Sequence, residues 1–256
     1  MKKLMLTAAV LATFAAPVFA EEAASPHTFT GNLTVATDYR FRGISQTFKQ
    51  PTVQGGFDYA HSSGFYLGNW NSTVSGLQYT NGGSIEMDFY GGYKFEPVKD
   101  VTADIGVLYY YYPGSSIGAT GVKYNNTEIY FGGTYQWFSA KYSYNVSDFF
   151  GLNNKSGGGK GDSDGSGYLD LGATFEVAEK TNLGLHVGHQ WVKNYSNLNY
   201  TDYKLGLTRD FGFATLGAAI VGTNANRVAY PNVVNAAGTS KDVRGTTLVL
   251  SISKTF

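Results

Sequence analysis

The sequence predicts an all-β protein, a transmembrane antiparallel up-and-down β-barrel of about twelve strands with both termini periplasmic. Three observations predict this fold. The chain is a series of two-faced segments about ten residues long, as barrel strands are. The connections between the segments are alternately short and long. Aromatic residues, which are enriched in strands and at membrane interfaces, make up 16% of the 256 residues, with 20 Tyr and 17 Phe.

The first twenty residues have the pattern of an export signal. Lys2 and Lys3 precede an apolar run over residues 4–14, and small residues lead to Ala20 just before the acidic Glu21. This order predicts a cleavable signal peptide at residues 1–20, followed by a single barrel domain at residues 21–256. The alternative, a retained transmembrane anchor, needs a longer apolar stretch.

Alternation of side chains is clearest in residues 84–95. Ile85 and Phe89 share one face, whereas Glu86 and Asp88 face the other way, because successive side chains of a strand point to opposite sides. The same pattern recurs along the chain and predicts an even number of strands, as bacterial barrels have. The predicted strands span residues 29–42, 51–60, 65–74, 84–95, 101–112, 126–137, 138–147, 167–178, 181–192, 200–210, 213–222 and 245–256.

The facing of the third strand stays open from the sequence. Phe65 and Leu67 share a face with Asn69 and Asn71, while Trp70 lies on the opposite face. Apolar and polar residues are therefore mixed on both faces of this strand, and alternation does not decide which of them is turned outward.

The connections test the barrel independently. Tight turns such as HSSG, EPVKD and VAEKT alternate with long polar loops, of which residues 147–166 are an example. In outer-membrane barrels the short turns are periplasmic, so this order predicts periplasmic termini. Aromatic residues near both sets of connections predict two girdles. Near the tight turns are Tyr59, Tyr93, Phe95, Tyr135, Trp137, Phe138, Phe175 and Phe211, and near the long loops are Tyr39, Phe41, Tyr109, Tyr111, Tyr144 and Trp191.

A soluble β-sandwich or lipocalin-like barrel also has alternating strands, but its apolar face points inward. The last predicted strand, GTTLVLSISKTF, favours the membrane alternative. It resembles the C-terminal assembly signal of bacterial outer-membrane proteins. This resemblance implies two partners, the barrel-assembly machinery and the lipids of the Gram-negative outer membrane.

Residues 32–70 carry a more specific resemblance. The segments ATDYRFRGISQT and PTVQGGFDYAHSSGFY closely resemble the opening of the TorF-like porin family, a proteobacterial family formerly of unknown function. With the predicted signal peptide and barrel, the likeness covers essentially the whole mature chain. The resemblance implies an outer-membrane barrel and a pore, and it implies no catalytic or binding residues.

Motifs for chemistry are weak throughout the chain. Ser163 matches a G-x-S-x-G pattern but lies in a glycine-rich loop without the flanking strand and helix of a nucleophile elbow. Asp162 and Asp164 lack the bidentate Glu of a calcium loop. His61 and Ser63 have the His-x-Ser spacing of an outer-membrane phospholipase, but no third partner is identifiable. The sequence therefore predicts no catalytic residues, no metal and no cofactor.

The predicted inner wall is polar and carries both signs of charge. Removal of the signal peptide leaves seventeen basic and nineteen acidic residues, and this net charge of −2 argues against a nucleic-acid partner. The pore-lining candidates are Asp38, Arg40, Arg42, Asp58, Glu86, Asp88, Lys94, Asp104, Glu128, Lys141, Asp170, Glu176, His186 and Lys204. His189 alternates with His186 and belongs on the outer surface, so the two cannot share one metal.

Twelve strands lie between the filled eight-stranded barrels and the sixteen-stranded porins, so the lumen should be narrow. The sequence predicts passive diffusion of small polar solutes or ions, with residues 147–166 as a candidate gate. Two alternatives remain open: a non-conducting structural or adhesive barrel, and an outer-membrane lipid hydrolase. The solute and the oligomeric state are not specified by the sequence.

Overall fold

The computed structural model describes residues 25–256. The predicted signal peptide at residues 1–20 lies outside this part of the chain. The described residues form one closed barrel of twelve antiparallel strands, in which each strand pairs with its neighbours in sequence. The first and last strands close the barrel over Asn32–Ala36 and Ser251–Thr255. No helix in the described residues is long and apolar enough to cross a membrane.

The strands agree with the predicted count. They are β1 His27–Ala36, β2 Thr52–His61, β3 Phe65–Thr73, β4 Ile85–Val98, β5 Val101–Tyr111, β6 Asn126–Tyr135, β7 Phe138–Asn145, β8 Gly167–Ala178, β9 Thr181–Trp191, β10 Tyr200–Asp210, β11 Thr215–Thr223 and β12 Thr247–Thr255. Short 3₁₀ turns occur in three of the loops, at Gly118–Thr120, Phe149–Gly151 and Ser196–Leu198.

The two ends of the barrel differ in their connections. Five short turns lie at the end where β1 begins and β12 ends, which we call the turn end. Six longer connections lie at the opposite, loop end, at residues 37–51, 74–84, 112–125, 146–166, 192–199 and 224–246. This arrangement has the predicted order. The assignment of the turn end to the periplasm stays a prediction.

The apolar face of the strands points outward. Phe89, Ile105 and Phe131 keep 44%, 53% and 60% of their surface exposed on the outside of the barrel. A dry apolar centre is therefore absent at these positions, and the β-sandwich and lipocalin-like alternatives are wrong. The structure also decides the facing of the third strand. Phe65 and Leu67 are exposed on the outside of the barrel, and because side chains alternate, Trp70 faces the lumen.

The first strand is shorter than predicted. β1 ends at Ala36 instead of residue 42, and residues 37–51, which we call the plug loop, fold into the barrel. Asp38 stabilises this change of direction, because its carboxylate accepts hydrogen bonds from Ser45 Oγ at 2.6 Å and Thr47 Oγ1 at 2.9 Å. Tyr39 was predicted in the outer girdle and instead contacts Glu86 inside the lumen.

Candidate functional site: the lumen and its plug loop

A small hairpin forms the tip of the plug loop. Arg40–Phe41 pairs with Ile44–Ser45, and the two residues between them, Arg42 and Gly43, have φ angles of 44° and 81°. Positive φ at both central residues is the requirement of a type I′ turn, which matches the twist of the flanking strands. Asn and Gly are preferred there, so Arg at the first position is strained. The turn places the Arg42 side chain at the point of the hairpin.

Arg42 fastens the hairpin to the barrel wall. Its Nη2 lies 2.8 Å from both carboxylate oxygens of Glu128 on β6, and its Nη1 donates to Gln190 Oε1 on β9 at 2.6 Å. The guanidinium carbon also lies 4.1 Å from the ring centre of Tyr168 on β8. Burial alone would lower the pKa of Arg42, but the Glu128 carboxylate raises it, so the guanidinium stays charged. One side chain therefore connects the plug loop to three strands.

Gly43 is required by a close approach to the wall. A Cβ added at this position would lie 2.7 Å from Asp202 Cβ on β10 and 2.9 Å from the Gly222 carbonyl oxygen on β11. The adjacent Arg40 donates from Nη1 to the carbonyls of Gly43 and Val243, each at 3.0 Å. The hairpin is consequently held on the side of β10 and β11 as well.

The loop end of the lumen is tightly filled around the hairpin. Nine inward-facing side chains at the loop ends of eight strands, or next to them, keep at most 1% of their surface exposed. They are Thr52, Ser72, Glu86, Tyr112, Asn126, Glu128, Asn145, Gln190 and Asp202. These side chains are inaccessible to solvent, so the plug loop and the wall are closely packed at the loop end of the described lumen.

A tyrosine cluster surrounds a buried carboxylate beside the hairpin. Glu86 accepts hydrogen bonds from the hydroxyls of Tyr39 and Tyr112, and Tyr79 stacks on Tyr112 with ring centres 4.5 Å apart. Burial, and then the negative charge of Glu86, raises the pKa of Tyr39 well above its ordinary value, so its hydroxyl remains a donor. Asp88, two residues from Glu86, has a buried oxygen without a hydrogen-bond partner in the described chain.

Towards the turn end the lumen is wetter. Tyr66 donates to Asp104 at 2.7 Å, and Tyr90 donates to Asp58 at 2.5 Å. Around Lys94, whose Nζ lies 4.8 Å from the ring centre of Tyr66, the inward side chains are half-buried or exposed. This half of the lumen is a charged chamber below the plug loop.

The fourteen pore-lining candidates fall into four groups. Asp38, Arg40 and Arg42 lie on the plug loop; Glu86, Asp88 and Glu128 lie on the wall near the loop end; Asp58, Lys94, Asp104, Lys141, Asp170, His186 and Lys204 line the chamber; and Glu176 lies at the turn-end rim. The position of the first group differs from the prediction, because these residues were expected on the barrel wall as part of the first strand and instead lie on the plug loop. Glu176 is exposed near the end of β8 and accepts a hydrogen bond from the Lys180 backbone in the adjacent turn.

Several residues around the plug loop were missed from the sequence. Asp202 shares the inward face of β10 with Lys204, and Gln190 shares that of β9 with His186. The period of two already places both side chains inside. The signal was therefore present, but Asp202 and Gln190 were not among the candidates.

The candidate gate at residues 147–166 contributes the Phe150 side chain to the filled region around the plug loop. The Phe150 ring packs against Phe41 at 5.5 Å and Tyr110 at 5.2 Å between ring centres. Ser163 of the same loop is fully buried, accepting from the Phe149 N–H at 2.8 Å and donating to the Leu152 carbonyl. Both hydrogen bonds are internal to residues 147–166 and hold this loop together.

The remaining motifs form no reactive site. His61 Nδ1 lies 2.7 Å from Ser63 Oγ at an exposed turn, and within residues 25–256 no carboxylate or amide side chain bonds to His61. In the same part of the chain no three His, Cys, Asp or Glu side chains are grouped to hold a metal ion. His189 faces outward, 4.4 Å from the Trp191 ring between centres.

Comparison with known proteins places the fold among porins. A family model described as a bacterial protein of unknown function (Gcw_chp) matches residues 20–256. The fold is similar to the KdgM porin, with 9% identity and a TM-score of 0.54 over 89% of this chain and 99% of that chain. The structure of the KdgM porin in complex with disordered oligogalacturonate is similar too, with 8% identity and a TM-score of 0.53 over 90% of this chain and 99% of that chain.

The NanC porin is also similar, with 11% identity and a TM-score of 0.50 over 86% of this chain and 97% of that chain. No curated protein matches the sequence. At these identities the likeness to the solved structures establishes the fold alone.

Proposed function

The chain belongs to the Gcw_chp family of bacterial proteins of unknown function, and we propose that it is a narrow outer-membrane pore for passive diffusion of small polar solutes or ions. The plug loop restricts this pore. The observation that carries the proposal is the charged hairpin tip inside a polar lumen, where Arg42 meets Glu128 and Gln190. Guanidinium, carboxylate and amide groups are well hydrated when they separate, so water can replace the contacts of Arg42 when the plug loop withdraws.

The outer surface and the chain ends fit the same proposal. The exposed apolar band would contact outer-membrane lipids, and the C-terminal strand would be engaged by the barrel-assembly machinery. A periplasmic turn end and removal of residues 1–20 on export belong to the proposal. The TorF-like designation suggested by residues 32–70 stays a prediction. The KdgM porin, which has the same fold, is described in complex with disordered oligogalacturonate, a polar solute.

The test removes the plug loop without disturbing the barrel. Ala36 and Thr52 are directly opposite each other in the register of β1 and β2, so a two-residue Asn-Gly turn can replace residues 37–51. The shortened protein and the full protein are each refolded and inserted into planar lipid bilayers. We expect a several-fold larger and more continuous ion conductance from the shortened protein.

A refolded, heat-modifiable barrel that lacks residues 37–51 and still gives no conductance would contradict the pore. That result would favour the second candidate, a non-conducting structural barrel, which the complete burial of Gln190 and Asp202 at the loop end also supports. We propose no enzymatic role. Phospholipid turnover measured on the same samples tests the lipid-hydrolase alternative, and a Ser63→Ala variant is its control.

A further inference from the structure

Four consecutive strands each place one ionisable side chain in the turn-end chamber. They are Lys141 on β7, Asp170 on β8, His186 on β9 and Lys204 on β10. In the register of the sheet, Lys141 lies opposite Asp170, and His186 lies opposite Lys204. The four side chains form a continuous band on one wall of the lumen, which we call the lysine band.

The carboxylates next to the lysine band are already engaged. His186 Nδ1 lies 3.1 Å from Asp170 Oδ1, and His186 Nε2 lies 2.7 Å from Asp202 Oδ1. Tyr168 donates to the other oxygen of Asp202 at 2.9 Å. Two strands from Lys141 in the same row of the sheet, Asp104 accepts a hydrogen bond from Tyr66 at 2.7 Å. These contacts satisfy the hydrogen-bonding capacity of carboxylate oxygens from within the wall.

The two lysines of the band have no comparable partners. Within residues 25–256 neither ammonium group forms a hydrogen bond, or an ion pair at 4.0 Å or less. The Lys141 Nζ lies 5.5 Å from the ring centre of Tyr130, and Asp170, which lies opposite Lys141 in the register, bonds to His186. Each ammonium has three donors. The band therefore offers hydrogen-bond donors and positive charge to the lumen.

We propose that the lysine band is a binding subsite for small organic anions that carry carboxylate groups. The proposal rests on the pore function proposed above and names its solute class. Strands spaced about 4.8 Å apart put β7 and β10 about 14 Å apart along the wall. Long side chains on a concave wall converge, so Lys141 and Lys204 can approach one solute with several carboxylates. In a narrow lumen these attractions are stronger than in bulk water.

The experiment measures ion selectivity of the full protein in a planar bilayer under a KCl gradient. The double variant Lys141→Gln/Lys204→Gln removes the two charges, and Lys141→Arg/Lys204→Arg retains them. Lys254→Gln is the matched control, because Lys254 bonds to the Gly212 carbonyl at the turn end, outside the lumen. We expect the anion-to-cation permeability ratio to fall several-fold only in the double Gln variant.

A second measurement separates failure of the subsite from failure of the pore. Calorimetric titration of the detergent-solubilised barrels with propane-1,2,3-tricarboxylate should give saturable binding to the native protein and the Arg pair, and at least tenfold weaker binding to the Gln pair. Binding without conductance supports the subsite and contradicts the pore. Conductance with unchanged selectivity in the Gln pair, together with no saturable binding, overturns the subsite and leaves the pore intact.

Discussion

Replacing Arg42 by Asn should release the plug loop while preserving its turn. Arg42 has a φ of 44° and precedes Gly43, so Asn at this position gives the Asn-Gly pair that type I′ turns prefer. The substitution removes the guanidinium contacts to Glu128 and Gln190. It therefore distinguishes the role of the charge from that of the backbone.

The expected magnitude follows from the burial of the partners. Glu128 is only 1% exposed, and loss of one member of a buried ion pair costs about 3–5 kcal/mol, because the remaining charge is left uncompensated. Relief of left-handed strain at Arg42 returns about 1 kcal/mol. A net loss of about 3 kcal/mol in docking corresponds to a shift on the order of a hundredfold in the ratio of docked to released plug loop.

Hydrogen exchange measures this shift directly. Amides of residues 37–51 in Arg42→Asn should exchange on the order of a hundredfold faster, with the barrel strands unchanged, and the open probability in planar bilayers should rise. Glu128→Gln should act in the same direction. The double variant Arg42→Asn/Glu128→Gln should lose less docking free energy than the two single variants added together, because Arg42 and Glu128 interact. If Arg42→Asn exchanges and conducts like the native protein, Arg42 does not hold the plug loop.

Three further outcomes are expected. Gly43→Ala should speed exchange of the plug loop through its clash with the wall, whereas Gly118→Ala, at an equally left-handed position with open space, should leave it unchanged. Ile105→Lys should lower the unfolding free energy in lipid by about 2–4 kcal/mol, whereas Thr134→Lys, on the lumen side, should have a smaller effect in the same urea titration. Ser163→Ala should speed exchange within residues 147–166 and leave conductance unaltered, since it orphans two buried backbone groups.

The barrel strands could be located from the sequence because spanning a membrane constrains both the alternation of their side chains and their length. Each strand must alternate between lipid and lumen, and each must be long enough to cross, so β8 and β10 were predicted with the bounds that the structure has. Turns between strands carry their own signal in Gly, Pro and charged residues. The fold and the two faces of the wall follow from this local information.

The plug loop was misread because its hairpin also alternates. Asp38, Arg40 and Arg42 continue the polar positions of β1, while Tyr39 and Phe41 continue the apolar ones. A period of two does not distinguish a membrane strand from a hairpin inside the lumen. The Arg-Gly pair at residues 42–43 was the local sign of a turn.

The contacts that hold the plug loop lie beyond the reach of local patterns. Arg42 and Glu128 are 86 positions apart, and Arg42 and Gln190 are 148 apart. Their meeting depends on the curvature of the closed barrel. The sequence therefore indicates which charged residues line the lumen but not which of them pair.

The positions of these partners also imply that the plug loop docks after the barrel has closed. The plug loop contacts β4 through Tyr39 and Glu86, β6 through Glu128, β9 through Gln190 and β10 through Gly43, and these strands face one another only in a closed barrel. The plug loop therefore has no complete docking surface until the barrel has formed. Because the plug loop docks on a barrel that has already closed, the free energy of docking adds to that of a complete barrel. The plug loop can therefore open without unfolding the wall. Substitutions in the plug loop should therefore change its docking without changing the stability of the barrel wall.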